Sequence, residues 1–169
     1  VHKVVMAYAT EQMGGAENKS GRFLYQLQLA ERSACNMLWH TVMELRQSAF
    51  TPTAFELGIM PVDDDDAPEG AIPSMRVSFP HGSVRLVGKV DRVDLFVRFD
   101  GKAFVRVVDY KPGTKTFDLN ELSAGLNMQM LLYLYSLLKN GKSKIGECIP
   151  AGVLYLPSKI GLSDYLKKR

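Results

Sequence analysis

The sequence predicts an α/β fold, a small mixed central sheet flanked by helices in the order α-β-β-β-α-β. Three observations predict it. A long amphipathic stretch near the N-terminus has helical spacing, a β-type run is folded on itself by Asp100-Gly101, and a capped helix follows before a last apolar strand. With 169 residues, one core can bury about two-thirds of the unfolded surface without metal or disulfide staples.

The elements follow in order. Residues 1–10 begin apolar, and Glu11 to Gly21 is polar and Gly-rich, which reads as a flexible linker. From Arg22 to Ala49, Phe23, Leu27, Ala30, Ala34, Leu38, Val42 and Leu45 recur at helical spacing, and Thr51-Pro52 is expected to stop that helix. Phe55 to Met60 reads as a short strand. Pro61 to Pro73 reads as an exposed loop carrying the acidic run Asp63 to Asp66, which is expected to be solvated rather than a cation site. Ser74 to Phe79 reads as a strand, Pro80-His81-Gly82 as a turn, and Val84 to Phe99 as one long strand paired with Ala103 to Lys111. Pro112-Gly113 breaks that strand. Asp118-x-x-Glu121 resembles a capping box, opening a helix that is expected to run to Asn140-Gly141 with Gly141 as its cap. Ile149 to Leu156 reads as the last strand. Residues 1–21 are thus read as an N-terminal segment and linker, 22–157 as the folded domain, and 158–169 as a basic tail.

Composition excludes several classes. Hydrophobic residues make up 46% and charged residues 23%, the balance of an ordinary globular domain. The longest apolar stretch, Met128 to Leu138, is interrupted by Gln129 and Ser136 and is too short to span a bilayer, so no membrane partner is expected. Two cysteines, Cys35 and Cys148, without metal-ligand spacing argue against a disulfide framework; they are expected as packed thiols in a reducing, cytoplasmic setting. The sequence begins with Val1, not Met, and reads as a fragment of a longer chain. Its 21 basic and 18 acidic residues give a net charge of +3; without Asp63 to Asp66 and Glu69 the balance is +8. A mildly basic body with one acidic loop is compatible with a polyanionic partner.

Charged residues interrupt what should be buried strands in Gly88-Lys89-Val90-Asp91-Arg92-Val93-Asp94 and in Val107-Val108-Asp109-Tyr110-Lys111. Side chains alternate along a strand, so Asp109 and Lys111 share a face. Asp91 and Asp109 each lie nine residues from Asp100, so the hairpin brings them to equal depth, within about 5 Å. Carboxylates that close repel unless a proton or cation lies between them, and a hard cation such as Mg²⁺ takes such oxygen ligands. The blander alternative is a structural ion cluster, Asp109 with Lys111 and Asp91 with Arg92. Gln129 and Tyr133, four apart, share a helical face with Gly125, which is expected to allow close backbone approach.

The string Gly88-x-Val90-Asp91-Arg92-Val93-Asp94, then Asp109-Tyr110-Lys111-x-Gly113, then Gly125-Leu126-x-x-Gln129-x-x-x-Tyr133 resembles the PD-(D/E)XK nuclease superfamily. Within it the match is to the RecB-type nuclease module, closest to the nuclease domain of the B subunit of AddAB (RexAB) helicase–nucleases. Ser48-x-Phe50-x-Pro52-x-x-Phe55-Glu56 resembles the first strand of that group, and the resemblance runs from about Arg22 to Leu156. It implies a restriction-endonuclease-like core and Mg²⁺- or Mn²⁺-dependent DNA hydrolysis. The implied metal ligands are Asp91, Asp109 and the Tyr110 backbone carbonyl. Lys111 would orient the attacking water and stabilise charge, Gln129 would face the site and the DNA, and Glu56 and Tyr133 are accessory candidates. The implied setting is a cytoplasmic bacterial helicase–nuclease exonuclease in double-strand-break repair and recombination, with an AddA/RexA-type partner subunit and the rest of its own chain.

Two departures accompany the resemblance. The family's helical His ligand has no match at its position; His40, four residues before Glu44, lies too close to the first strand, so that His is expected upstream of Val1. Many relatives hold an iron–sulfur cluster on four cysteines, three of them after the last strand, and this sequence has no cysteine after Cys148. A silent DNA-binding or bracing domain is the first rival reading, opposed by the presence of Asp91, Asp109, Lys111 and Gln129 together. A Lys111 amine nucleophile is the second, and no cofactor motif supports it.

Overall fold

The computed structural model describes residues 1–17, 19–61, 69–111 and 118–157. The acidic run Asp63 to Asp66, the Pro112-Gly113 break and the 158–169 tail lie outside them. In chain order the elements are α1 (His2–Met13), α2 (Gly21–Arg46), β1 (Thr51–Met60), β2 (Ile72–Pro73), β3 (Met75–Phe79), β4 (Gly82–Leu86), β5 (Gly88–Val97), β6 (Ala103–Lys111), α3 (Leu119–Ser123), α4 (Gln129–Asn140), α5 (Lys142–Ile145) and β7 (Cys148–Pro157). Contacts divide the described residues into two compact units. One holds Val1–Gln47 with Lys111 and the end of β7 from Leu156; the other holds Ser48–Tyr110 and 118–155.

In the first unit, α1 extends three residues into the stretch read as linker. Glu11, Gln12 and Met13 are good helix formers, and the left-handed Gly14 ends the helix. Ser20 caps α2, its Oγ accepting the Phe23 N–H at 3.3 Å. The two helices pack on each other, with His2 Nδ1 3.1 Å from Glu31. Helix α2 ends at Arg46, before the expected Ala49, and Pro52 is not what stops it. The Ser48 Oγ accepts the Phe50 N–H at 3.1 Å and turns the chain first. Pro52 instead lies inside β1, beside the register shift between Pro52 and Ala54, where its missing N–H is tolerated.

The second unit is built on the sheet β2-β1-β5-β6-β7. β1 runs parallel to β2 and antiparallel to β5, and β5 is antiparallel to β6. One face carries Leu57, Ile59, Ile72, Val90, Val93, Val105 and Val107, against which α4 sets Met130, Leu134 and Leu137 at helical spacing. Burial of side chains of this size supplies about 1.5–3 kcal/mol each.

Three expectations are corrected here. The first strand is ten residues long, from Thr51 rather than Phe55. The run from Val84 to Phe99 is two strands: β4 pairs only with β3, as a separate hairpin, and the chain changes sheets at Val87. The helix expected from Asp118 to Asn140 is interrupted. Asp118 does cap α3, its carboxylate accepting the Asn120 N–H at 2.8 Å, but Glu121 bonds Asn127 instead of reaching back. Gly125 and Asn127 then take φ of 77° and 55°, left-handed values that no helix continues through. Gly141 caps α4 as expected, for a different reason. Its φ is −87°, and a Cβ there would lie 2.5 Å from the Leu137 carbonyl oxygen.

Candidate active site

The β5–β6 hairpin positions the two acids. Its register pairs Val97 with Ala103 and continues in step to Arg92 opposite Val108. The paired register ends there, one residue short of Asp91 and Asp109. The turn closes through the Arg98 N–H on the Lys102 carbonyl at 2.9 Å, with Gly101 at φ 84°.

The Asp91 Oδ2 accepts the Tyr110 N–H at 2.9 Å, so this carboxylate is latched across the hairpin to the backbone beside Asp109. Asp109 is 6% exposed. Its Oδ2 atom is buried and accepts no hydrogen bond among the described residues, although the residue has other interactions. Lys111 is the last residue of β6, two beyond Asp109 and half-buried.

Strict alternation fails beside Asp91. Val90 and Val93 both face the core although they are three apart, and so do their β1 partners Leu57 and Ala54. The reversal falls at Glu56, which lies across from Asp91 by register and adopts φ 51°. A non-glycine residue held there costs on the order of 1–3 kcal/mol, and such outliers cluster at functional sites. Composition and periodicity carried no sign of this kink.

Behind the site, on the other side of β5, lies a buried ion cluster. Arg92 and Asp94 are both 0% exposed and pair bidentately, Nε to Oδ1 at 2.8 Å and Nη2 to Oδ2 at 2.9 Å. Arg106 donates to Asp94 Oδ2 at 2.9 Å and stands over the Phe50 ring at 4.5 Å. Burial works against the charge of Arg92, but Asp94 and the Tyr110 hydroxyl more than offset it, and its pKa is held above the ordinary guanidinium value. Arg92 Nη1 also donates to Tyr110 Oη at 3.1 Å. Tyr110 is therefore held at both ends, its N–H by Asp91 and its hydroxyl by Arg92.

The structural ion cluster forms around Asp94, which takes Arg92 as its partner. Glu56 forms an exposed ion pair with Lys89, which raises the Lys89 pKa through the hydrogen bond and charge of Glu56. The physical reason is strand alternation: Arg92 and Asp94, two apart on β5, share a face, while Lys89 stays exposed.

At the start of α4, Gln129 is exposed and its Nε2 donates to Tyr133 Oη at 2.9 Å. The Tyr133 ring packs over Gly88 of β5, where an added Cβ would lie 2.6 Å from Oη and 2.8 Å from a ring carbon. Tyr133 thus packs against the core and accepts the Gln129 hydrogen bond. Gly125 precedes α4 and so does not share its face; nothing lies within 4 Å of its would-be Cβ. Its left-handed φ, not a close approach, needs glycine. Gly88→Ala is expected to displace Tyr133 and free the Gln129 amide, lowering stability by about 1–3 kcal/mol. Thermal unfolding of the variant checks this, and an unchanged melting temperature would refute the close packing.

Among the described residues no group of three His, Cys, Asp or Glu side chains is placed to hold a metal. Two carboxylates and a backbone carbonyl remain a fitting donor set for one hard divalent ion, which often takes only one or two carboxylates. His40 is exposed on α2. Cys35 is exposed rather than packed, because α2 buries none of its residues in this structure. Cys148 is half-buried, donates to the Ile145 carbonyl at 3.2 Å, and has its thiol pKa raised by burial. Two cysteines cannot supply a four-cysteine cluster. No helix among the described residues is long and apolar enough to cross a membrane.

Residues 3–164 match the family model of the PD-(D/E)XK nuclease superfamily. The chain belongs to this superfamily. PD-(D/E)XK nucleases generally use divalent metal ions, which agrees with the oxygen donors at the end of the β5–β6 hairpin. The chain is also similar to the B subunits of several ATP-dependent helicase/deoxyribonucleases. It is 32% identical over 158 residues to that of Clostridium novyi (strain NT), covering 92% of this chain and 13% of the relative. It is 38% identical over 128 residues to that of Desulforudis audaxviator (strain MP104C), covering 75% and 10%. With that of Geobacillus kaustophilus (strain HTA426) the identity is 40% over 112 residues, covering 65% and 9%. The chain spans about a tenth of the length of these curated relatives. The PD-(D/E)XK sheet and its flanking helices are the mixed α/β architecture that the sequence predicts.

Proposed function

We propose that this chain is the nuclease domain of a bacterial helicase–deoxyribonuclease B subunit, and that it hydrolyses DNA phosphodiester bonds as an exonuclease in double-strand-break repair. The observation that carries the reading is the Asp91 carboxylate on the Tyr110 N–H, beside the buried Asp109 and near the end of the strand that Lys111 closes. The partners would be DNA, a helicase-type subunit like AddA/RexA and the rest of its own chain, in the cytoplasm. The domain would span 22–157, with the 1–21 segment and the basic tail as attachments.

Asp91, Asp109 and the Tyr110 carbonyl would hold Mg²⁺ or Mn²⁺. When bound, the cation supplies Lewis-acid polarisation of a phosphoryl oxygen and acidifies an attacking water. The protein's own groups do the rest. The Tyr110 N–H sets the orientation of the Asp91 carboxylate, and Arg92 fixes the Tyr110 ring, so the ligand backbone is preorganised before substrate arrives. The Lys111 ammonium donates to a non-bridging phosphate oxygen as charge builds there. The Gln129 amide, steadied by Tyr133, orients water or the phosphate from the α4 side. Glu56 with Lys89 borders the site without joining the ligands.

Metal removal tests the reading. The full-length protein with its partner subunit should degrade linear DNA in Mg²⁺ and stop in excess EDTA. Activity should return with Mg²⁺ or Mn²⁺. Degradation that continues in EDTA would contradict the reading.

A further inference from the structure

Glu56, Lys89 and Asp91 stand together on the side of β1 and β5 away from the core, and the proposed hydrolysis uses only Asp91. Lys89 and Asp91 flank Val90, which faces the core, so their side chains leave β5 on the same side. Two residues along a strand place them about 7 Å apart at the backbone, within reach of a lysine side chain. The register pairs Phe55 with Arg92 and Leu57 with Val90, which sets Glu56 across from Asp91. Lys89 forms its ion pair with Glu56. The hydrogen bond and charge of Glu56 raise the Lys89 pKa, and the Asp91 charge acts in the same direction. The ammonium is thus in the field of both acids and is held by one of them.

Stability does not explain this pair. The Lys89 and Glu56 side chains are 55% and 61% exposed, and exposed ion pairs contribute little to folding. Glu56 nevertheless makes its half of the pair from φ 51°, a strained conformation for which glutamate has no preference. The strain falls at the position across from Asp91. It leaves Phe55 and Glu56 both outside the core, while Ala54 and Leu57 on either side pack on it. Lys89 has a choice of two acids. On Asp91 its ammonium would neutralise a carboxylate that a divalent ion needs, and would repel that ion at short range. On Glu56 its charge is already met, and Asp91 is left to accept the Tyr110 N–H and the ion.

We propose that Glu56 is a positioning residue for the metal site: it holds the Lys89 ammonium aside, so that Asp91 is not neutralised by its own neighbour and stays open to the divalent cation. The proposal rests on the reading of Asp91 and Asp109 as cation ligands. The test is Mn²⁺ binding to the full-length protein, followed by electron paramagnetic resonance and counted as the binding that Asp91→Ala removes, beside crystal structures of the metal-free variants. Glu56→Gln keeps the shape of the side chain and removes its charge. It should weaken that binding about three- to fivefold, the worth of one exposed ion pair, and bring Lys89 Nζ within hydrogen-bond distance of the Asp91 carboxylate. Lys89→Met added to Glu56→Gln should restore the wild-type affinity or better. Unchanged affinity in Glu56→Gln would overturn the proposal, and so would a Lys89 that turns to solvent in its crystals. A loss that persists in the double variant would overturn it too, because Glu56 would then act on the ion directly. If Asp91→Ala removes no Mn²⁺ binding, the ligand reading itself falls and the role of Glu56 with it. If Asp91→Ala removes it and Glu56→Gln binds as wild type, only the role of Glu56 falls.

Discussion

Asp109→Ala is expected to lower DNA hydrolysis on the order of a hundredfold or more in the full-length protein while leaving it folded, and Lys111→Ala is expected to do the same. Asp109 is buried at the end of β6, so its charge acts where water screens poorly. Groups that stabilise transition-state charge commonly cost that much when one is removed. The fold should survive because the packing of β6 rests on Val105, Val107 and Val108, each fully buried. Nuclease assays on linear DNA beside circular dichroism check both halves. Wild-type cutting by both variants would remove the catalytic assignment.

Asp94→Ala is expected to have the largest effect on stability. One carboxylate bonds both Arg92 and Arg106, and Arg92 is wholly buried. Deleting the shared acid leaves two guanidinium groups without their central counter-charge. Removing one partner of a buried pair typically costs about 3–5 kcal/mol. At about 2–4 °C per kcal/mol for a domain of this size, the melting temperature should fall by about 10 °C. Arg92 would also lose its orientation beneath Tyr110, so residual activity should fall too. Thermal and urea unfolding measure the first effect. A loss below about 1 kcal/mol would show that the cluster is not the brace described here.

How much was legible follows from which signals are local. Asp100-Gly101 is a strong turn, so the antiparallel pairing of β5 with β6 could be read directly. The end of α4 was legible from Asn140-Gly141, a local stop signal. The break before α4 had its signal in Gly125 and Asn127, outweighed by the apolar periodicity on either side. The separation of β4 from β5 was not legible, because Val84 to Phe99 is uniformly β-forming and the change of sheet depends on what each strand pairs with. Nor was the Glu56 kink, since glutamate has no preference for positive φ and only the surrounding sheet imposes it. The pairing of Asp94 with a basic neighbour was legible, since Arg92 lies two residues away on the same face of the strand.

The most direct test of the central claim is a Mn²⁺ soak of crystals of the full-length protein, read by anomalous scattering. The account predicts one peak within coordination distance of both the Asp91 and Asp109 carboxylates and the Tyr110 carbonyl, lost in Asp91→Ala. A peak bound elsewhere in the domain, or the same peak persisting in Asp91→Ala, would contradict it.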